Sequence, residues 1–385
     1  MKRYPLRIAV IEPVGGHGGM DYYDFGLCGG LAEAGADVVL HTCDETNLPI
    51  NAAFEVRHTY TGIYGKARSW RRGLRYARAT LSSIWSAMRE NRRICHFHLF
   101  HTGPLQTLNV VLAKIFRRRV VITAHDVESF VESLEVPLLS RWVYRQADRV
   151  IAHNRISRQE LIDRIGLANE KIAVIPHGNY LHAIHPLPEQ DEARRDLGVA
   201  VHAKVILFFG QIKDVKGLDL LLEAIPEVVE EHSDTILLIA GKPWKTDFST
   251  YEAQMEKLAI REHCIAHIRY IDDEDVPLYY SAADVVALPY RRIYQSGVVL
   301  MAMSYGKAVL VSDLPGMTEI VTDGIDGYVF KRGDASDLAQ KLCAALEDEG
   351  KRKLLSEQGF QRVRDDYDWQ IIGEKTGELY ATITD

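Results

Sequence analysis

Two lysines and one small polar tip are the residues of this chain best suited to hold a polyphosphate. In "KVILFFGQIKDVKGLDLLLEAI", Lys213 and Lys216 fall in the loop between a strand-like run and a helix-like one. A lysine there is a mobile point charge, and the start of the following helix adds a partial positive charge of its own. The plain alternative is two solvated surface lysines. In "YQSGVVLMAMSYG", between the runs "DVVALPY" and "KAVLVSD", Gln295, Ser296 and Gly297 open a segment of helical spacing. Ser296 is placed to cap that helix, with the N–H groups of Gly297 and Val298 at its open end. An anion at such an end gains about 0.3–2 kcal/mol, which assists binding without securing it. Glu319 follows the next strand, in "DLPGMTEIV".

A second set lies in the first half. "LRIAVIEPVGGHGGMDYYDFG" places a glycine-rich turn, with Gly16 inside it, between a strand and a helix. Glycine permits close backbone approach to a ligand, although G-G-x-G-G is not the dinucleotide fingerprint and also suits an ordinary turn. "RVVITAHD" ends in His125 and Asp126, where a neutral imidazole can hydrogen-bond a sugar hydroxyl or its own backbone neighbours. In "HFHLFH", alternation puts His96 and His98 on one strand face, with His101 beyond. No fitting carboxylate or Cys ligands accompany them, so no metal site is read there. The four acids Asp272 to Asp275 precede "VPLYYSAAD" and read as a helix N-terminus instead of a cation site.

One further segment carries charge. In "YGKARSWRRGLRYARATLSSIWSAMRENRR", Trp70, Leu74, Ala77, Leu81, Ile84, Trp85 and Met88 recur at helical spacing, with Arg71, Arg72, Arg75 and Arg78 between them. Such a helix suits an anionic membrane surface. The competing reading packs the apolar stripe on a sheet and leaves the arginines in solvent.

The elements that must position these residues are short continuous apolar runs alternating with helical patterns. "LRIAVIEP", "ADVVLHT", "ICHFHLF", "RVVITAHD", "DRVIAHN" and "KIAVIPHG" form one series. "KVILFFG", "TILLIAG", "AHIRYI", "DVVALPY" and "KAVLVSD" form another. Runs without alternation indicate parallel strands buried on both faces. The predicted fold is therefore α/β, two doubly wound Rossmann-like domains facing across a cleft, with chemistry in the loops after the strands. The predicted limits are 1–176, 177–365 and a last helix, 366–385, returning toward the first domain.

Length and composition agree. The 385 residues suit two domains, and 47% hydrophobic with 26% charged content is that of a globular protein. No apolar run is long enough to span a bilayer, and the first, "IAVI", reads as a strand instead of a signal peptide. Five scattered cysteines with no C-x-x-C pair point to a reducing compartment, hence the cytoplasm or the inner membrane face. Residues 1–175 carry 24 Lys and Arg against 17 Asp and Glu, a net of +7 that leaves −14 for the remainder. Neither a zinc finger nor an aromatic stacking motif accompanies the basic half, so nucleic acid is not an expected partner.

Taken in order, "GGHGG", "TAHD", "VIPHGN", "FFGQIKDVKGLDLLLEA", "YIDDEDVPLYYSAADVVALPY" and "QSGVVLMAMSYGKAVLVSDLPGMTEIVTDGIDGYVF" resemble the retaining glycosyltransferases of family 4. The resemblance covers nearly the whole chain and implies the GT-B architecture, a nucleoside diphosphate sugar as donor and no metal or other cofactor. It implies that Lys216, with Lys213 nearby, holds the donor phosphates, and that the backbone of Ser296, Gly297 and Val298 completes the seat. Gln295 and Glu319 stand in the family's donor segment, Gly16 lies close to the diphosphate, and Tyr270 and Ile271 lie against the base. His125 looks like the residue that touches the transferred sugar. Two positions depart from the pattern: Gln211 stands where many members have Arg, and Met301 where many have a ribose-binding Glu. A methionine cannot accept the ribose hydrogen bonds that a carboxylate can. The expected donor is a GDP- or UDP-sugar, and the expected acceptor a lipid-linked or polysaccharide precursor. The rival readings are a sugar-nucleotide-binding protein without catalysis and a peripheral membrane scaffold.

Overall fold

A computed structural model describes residues 6–16, 19–49, 51–125, 137–245, 247–293 and 295–384. The chain divides into two compact units, Met1–Gly178 with Tyr367–Asp385, and Asn179–Asp366.

Unit 1 is built on seven parallel strands: β1 (Arg7–Ile11), β2 (Asp37–Cys43), β3 (Glu55–Tyr60), β4 (Ile94–Leu99), β5 (Arg119–Ala124), β6 (Arg149–Ala152) and β7 (Ile172–Val174). Their order is β3-β2-β1-β4-β5-β6-β7. The continuous apolar runs become the buried strands, because a parallel sheet flanked by helices has no solvent face. Strand β3, "EVRHTY", escaped the sequence reading; it is a half-exposed edge strand whose outward positions are polar. Helix α1 (Met20–Glu33) packs on the C-terminal helix Trp369–Ala381 so closely that side chains are excluded. A Cβ on Gly30 would stand 1.9 Å from the Trp369 carbonyl oxygen, and one on Gly26 2.1 Å from the indole. These helix glycines, weak formers in themselves, are explained by that approach.

Helix α2 (Ser69–Arg89) turns a different face inward from the one its apolar stripe suggests. Tyr76, Ala79, Thr80, Ser83, Ile84 and Ala87 are buried, whereas Trp70, Leu74, Leu81 and Trp85 are 45–60% exposed. The inward Tyr76, Thr80 and Ser83 are matched across elements. The hydroxyls of Tyr60 and Thr80 lie 3.1 Å apart, Thr80 donates to Asn109 Oδ1 (2.9 Å), and Asn109 Nδ2 donates to the Tyr76 hydroxyl (2.8 Å). Asn109 belongs to α3 (Pro104–Ile115). Packing of the tryptophan stripe on the sheet is thus corrected: satisfied polar groups occupy the interface instead.

Unit 2 holds β8 (Lys204–Phe209), β9 (Thr235–Ala240), β10 (Cys264–His267), β11 (Val285–Leu288), β12 (Ala308–Ser312) and β13 (Tyr328–Phe330), all parallel, in the order β10-β9-β8-β11-β12-β13. Its core gathers Ile206, Phe208, Leu221, Ile225, Leu237, Ile239 and Leu310. Strand β10 starts two residues before the run "AHIRYI" expected to form it and shares Ala266 and His267 with it, at the sheet edge where pairing on one side alone weakens the sequence signal.

Each sheet has one place where strand order reverses, between β1 and β4 in unit 1 and between β8 and β11 in unit 2. Connections leave in opposite directions there and open a crevice beyond the strand ends, where ligands of such sheets bind.

Candidate functional site

At the β8/β11 reversal, the loop after β8 turns at Gly210 (φ 101°) and runs through Gln211 and Lys213 to the one-turn segment Asp214–Lys216. Gly217 (φ 69°) then starts the helix Leu218–Glu231; a Cβ there would stand 2.0 Å from the Pro289 carbonyl oxygen. This close approach presses the lysine loop onto the end of β11. Arg291 fastens it further, donating its backbone N–H to the Val215 carbonyl (2.8 Å) and its guanidinium to both oxygens of Asp219 (2.6 and 2.5 Å).

The ammonium of Lys216 sits 3.7 Å above the ring centroid of Tyr290, a close cation–π contact. Tyr290 is buried, and its hydroxyl lies 3.5 Å from Ser296 Oγ, which in turn accepts from the Val299 N–H (3.4 Å). Ser296 therefore caps the helix Gly297–Ser304, whose first turn leaves the amides of Gly297 and Val298 without an intrahelical acceptor. Val298 closes the group, since a Cβ on Gly210 would meet its Cγ2 at 3.4 Å. One tyrosine thus joins Lys216 to the amide-rich tip.

Other expected donor residues are spread along the same end of this sheet. Gln211 is exposed beside Gly210. Lys213 turns to the loop after β9, its ammonium 5.5 Å above the Trp244 ring. Tyr270 is 62% exposed and Ile271 buried, beyond the edge strand β10. Gln295 is half-buried ahead of Ser296. Glu319 ends the turn Pro315–Thr318 after β12, where Arg362 donates to its carbonyl (3.1 Å). Among the four acids, Asp275 takes the N-cap position of Val276–Ala282 without a side-chain cap bond. Its carboxylate pairs with Arg269 instead (2.7 Å), so the capping expectation holds by position and not by hydrogen bond.

Unit 1 presents buried imidazoles. His125, at the end of β5, stacks on Phe100 (4.6 Å, 14°), and its Nδ1 lies 3.4 Å from His153 Nε2. His125 Nε2 is buried without a hydrogen-bond partner among the described residues. Tyr23 stands amid His98, His125, His153 and His177, with centroids 4.7–5.4 Å away. Burial pushes His98 and His153 down to about 3 and holds His96 and His125 well below the usual range, the neighbouring imidazoles adding to the effect at His125. His125 is accordingly a neutral hydrogen-bonding group near pH 7. Asp126 lies outside the described residues. His96 is engaged by Thr123 (2.8 Å) and Tyr380 (2.6 Å), and His98 Nδ1 approaches Asp24 Oδ1 (3.0 Å). Gly16 donates its amide to Thr46 Oγ1 (3.1 Å), behind a turn held by Glu12, whose carboxyl accepts from Val14 (2.9 Å) and Gly15 (2.6 Å).

Two family models cover most of the chain: Glycosyltransferase Family 4 matches residues 17–179, and Glycosyl transferases group 1 matches residues 189–362. The chain belongs to glycosyltransferase family 4. Among its relatives are the spore coat protein SA of Bacillus subtilis, 25% identical over 58% of this chain, and a D-inositol 3-phosphate glycosyltransferase of Geodermatophilus obscurus, 31% identical over 59%. The aligned stretches span 62% and 51% of those relatives' own lengths. A D-inositol 3-phosphate glycosyltransferase of Xylanimonas cellulosilytica is 24% identical over 96% of this chain and 93% of its own. In fold, the chain is similar to Anabaena HepE in complex with UDP-glucose (TM-score 0.78, 18% identity, 98% and 100% of the two chains). It is also similar to the sucrose-phosphate synthase of Thermosynechococcus elongatus (TM-score 0.77, 19% identity, 98% of each).

Within this family 4 chain, Tyr290 and Arg291 are the residues that sequence reasoning missed. Tyr290 was visible only as the end of "DVVALPY"; its position just past a central strand was the available signal. Arg72 is a correction. Grouped by sequence with the outward arginines, it falls four residues before buried Tyr76, on the inward face of α2, and its Nε is enclosed. Trp70, Arg71, Arg75 and Arg78 do stand outward, with the Arg71 guanidinium 5.3 Å above the Trp70 ring and Arg75 donating to the Gly62 carbonyl (2.8 Å). Among the described residues, one group has the spacing of metal ligands, Glu231, His232 and Cys343. There Lys204 donates to His232 Nδ1 (2.8 Å), which puts the ring proton on Nε2 and disables that nitrogen as a ligand.

Proposed function

We propose that this transferase moves a sugar from a nucleoside diphosphate sugar, linked to UDP or GDP, onto a lipid-linked or polysaccharide-precursor acceptor, with retention and without a metal. The observation that carries the reading is the convergence of Lys216 and the Ser296 tip on Tyr290 at the strand-order reversal of unit 2. In the reaction, the bond from the anomeric carbon to the phosphate oxygen breaks and the acceptor oxygen takes its place on the same face. Its proton passes to the departing phosphate. Charge grows on the diphosphate as this happens, and Lys216 with the amides of Gly297 and Val298 stabilises it electrostatically. Gln211 and Lys213 flank the phosphates, and Tyr270 and Ile271 the base. His125, held neutral, hydrogen-bonds the transferred sugar without protonating it. The outer face of α2, mixing Trp70, Leu74, Leu81 and Trp85 with arginines, supports attachment to an anionic membrane on which a lipid-linked acceptor lies.

Thermal denaturation with UDP, GDP and ADP tests the donor seat: a ligand that binds the folded chain alone raises the melting temperature. No response to any of the three overturns the proposal. A response without transfer or hydrolysis of a panel of sugar nucleotides favours a binding protein without catalysis, the reading that Met301 and Gln211 support.

A further inference from the structure

We infer that a pocket in unit 1 seats an anionic group of the acceptor, a phosphate or a carboxylate, on Arg72. The inference depends on the transferase reading only in naming the occupant the acceptor. A cavity of about 300 Å³ opens at the β1/β4 reversal, lined by Glu12 just past β1, His98 and Leu99 at the end of β4, Ser69 and Arg72 of α2, and Gln106 of α3. That volume suits a small polar ligand or one sugar ring.

Three features give the cavity its charge preference. Arg72 is the one Lys or Arg among its lining residues, and its Nε is enclosed yet makes no hydrogen bond among the described residues. A buried guanidinium N–H without an acceptor costs free energy that an incoming oxyanion recovers. The nearby acid does not serve it: both Glu12 oxygens are taken by the Val14 and Gly15 amides, and burial with the Asp24 charge raises the carboxyl toward its neutral form. The first turns of α2 and α3 also line the space and add the partial positive charge of two helix starts. His98, fully enclosed and neutral, has Nε2 without a partner among the described residues and supplies a hydrogen bond to a neutral part of the same ligand.

The test uses the full chain carrying Lys216→Ala, which weakens phosphate at the donor seat, and Arg72→Gln in the same background reads the part bound in unit 1. Inorganic phosphate, glucose 6-phosphate and glucose are titrated by calorimetry, together with short-chain phosphatidic acid below its aggregation concentration. The three phosphate-bearing probes are expected to bind and glucose not to bind. Whether the sugar phosphate or the lipid phosphate binds more tightly identifies the natural source. Arg72→Gln is expected to weaken phosphate by about tenfold or more, and Arg72→Lys to retain part of the binding as a charge without the guanidinium fork. Arg89→Gln, on the outer face at the far end of α2, is expected to change nothing. Equal phosphate binding by Arg72→Gln and its parent, or binding of glucose in preference to glucose 6-phosphate, overturns the inference. Nucleotide binding is read separately in Arg72→Gln with Lys216 intact: a thermal shift with UDP or GDP keeps the donor reading whatever phosphate does in unit 1.

Discussion

The crevices at β1/β4 and at β8/β11 arise from the same reversal of strand order and are furnished in opposite ways. In unit 2 a half-exposed lysine rides on an aromatic ring beside unsatisfied helix amides, an arrangement that attracts a strong anion through charge. In unit 1 Glu12, just past β1, faces Asp24 of α1 as a carboxyl pair, the strand ends carry imidazoles shielded from water, and Arg72 is the one Lys or Arg in the cavity's lining. Charge in low dielectric is costly, so burial holds Glu12 and the imidazoles of the second crevice toward their neutral forms and leaves Arg72 as the fixed charge of its lining. The difference teaches that one strand topology supports either strong attraction or close discrimination, depending on which side chains end the central strands.

Acid is expected to strain the contrast most. Buried His98 and His153 titrate near 3 and His41 near 4, all lowered, so the unfolded chain takes up protons below about 6.5 before the folded one does. Stability is therefore present above pH 6.5 and lost as pH falls, by about 2 kcal/mol per such histidine between pH 7 and 5. Glu12 and Asp24, raised by burial, act in the opposite sense and offset part of the loss. Urea unfolding at the two pH values should show unit 1 several kcal/mol weaker at pH 5. Equal stability would mean that the histidines are not shielded as described.

Removing the unit 2 charge comes next. Lys216→Ala should lower transfer by about 10²–10³-fold, the range for deleting one donor to a developing anion. Lys213→Ala, whose ammonium faces Trp244, should cost far less; initial rates with a saturating sugar nucleotide separate the two. A smaller effect is expected on membranes. Reversing Arg71, Arg75 and Arg78 to Glu should reduce sedimentation with phosphatidylserine vesicles by about 1 kcal/mol per residue and leave nucleotide affinity unchanged. Smallest of all, Tyr290→Phe keeps the ring under Lys216 and loses only a 3.5 Å hydroxyl contact, so donor affinity should move by about threefold or less, whereas Tyr290→Leu should cost more.

Much of this was legible in sequence where burial is complete and not where it is partial. "KVILFFG" and "DVVALPY" read as central strands because both faces demand apolar residues, and the lysine loop and Ser296 tip followed from their position after those strands. Strand β3 was hidden because an edge strand with one wet face resembles a polar loop. The inward face of α2 was hidden because Tyr76, Thr80 and Ser83 are buried through hydrogen bonds to Tyr60 and Asn109, partners far apart in sequence that no periodicity reveals. Arg72 went astray for the same reason. Tyr290 contributes through a ring face and a hydroxyl, roles that residue spacing does not encode.

The seat of Trp369 against Gly26 and Gly30 also bears on how the protein is made. Unit 2 is one continuous stretch and holds all its residues once Asp366 has been synthesised. Unit 1 is begun before it in the chain yet lacks a wall of its core until residues 367–385 have followed unit 2. A stop codon shortly before Trp369 should therefore leave the earlier-made half as the aggregation-prone one, despite an intact central sheet sequence.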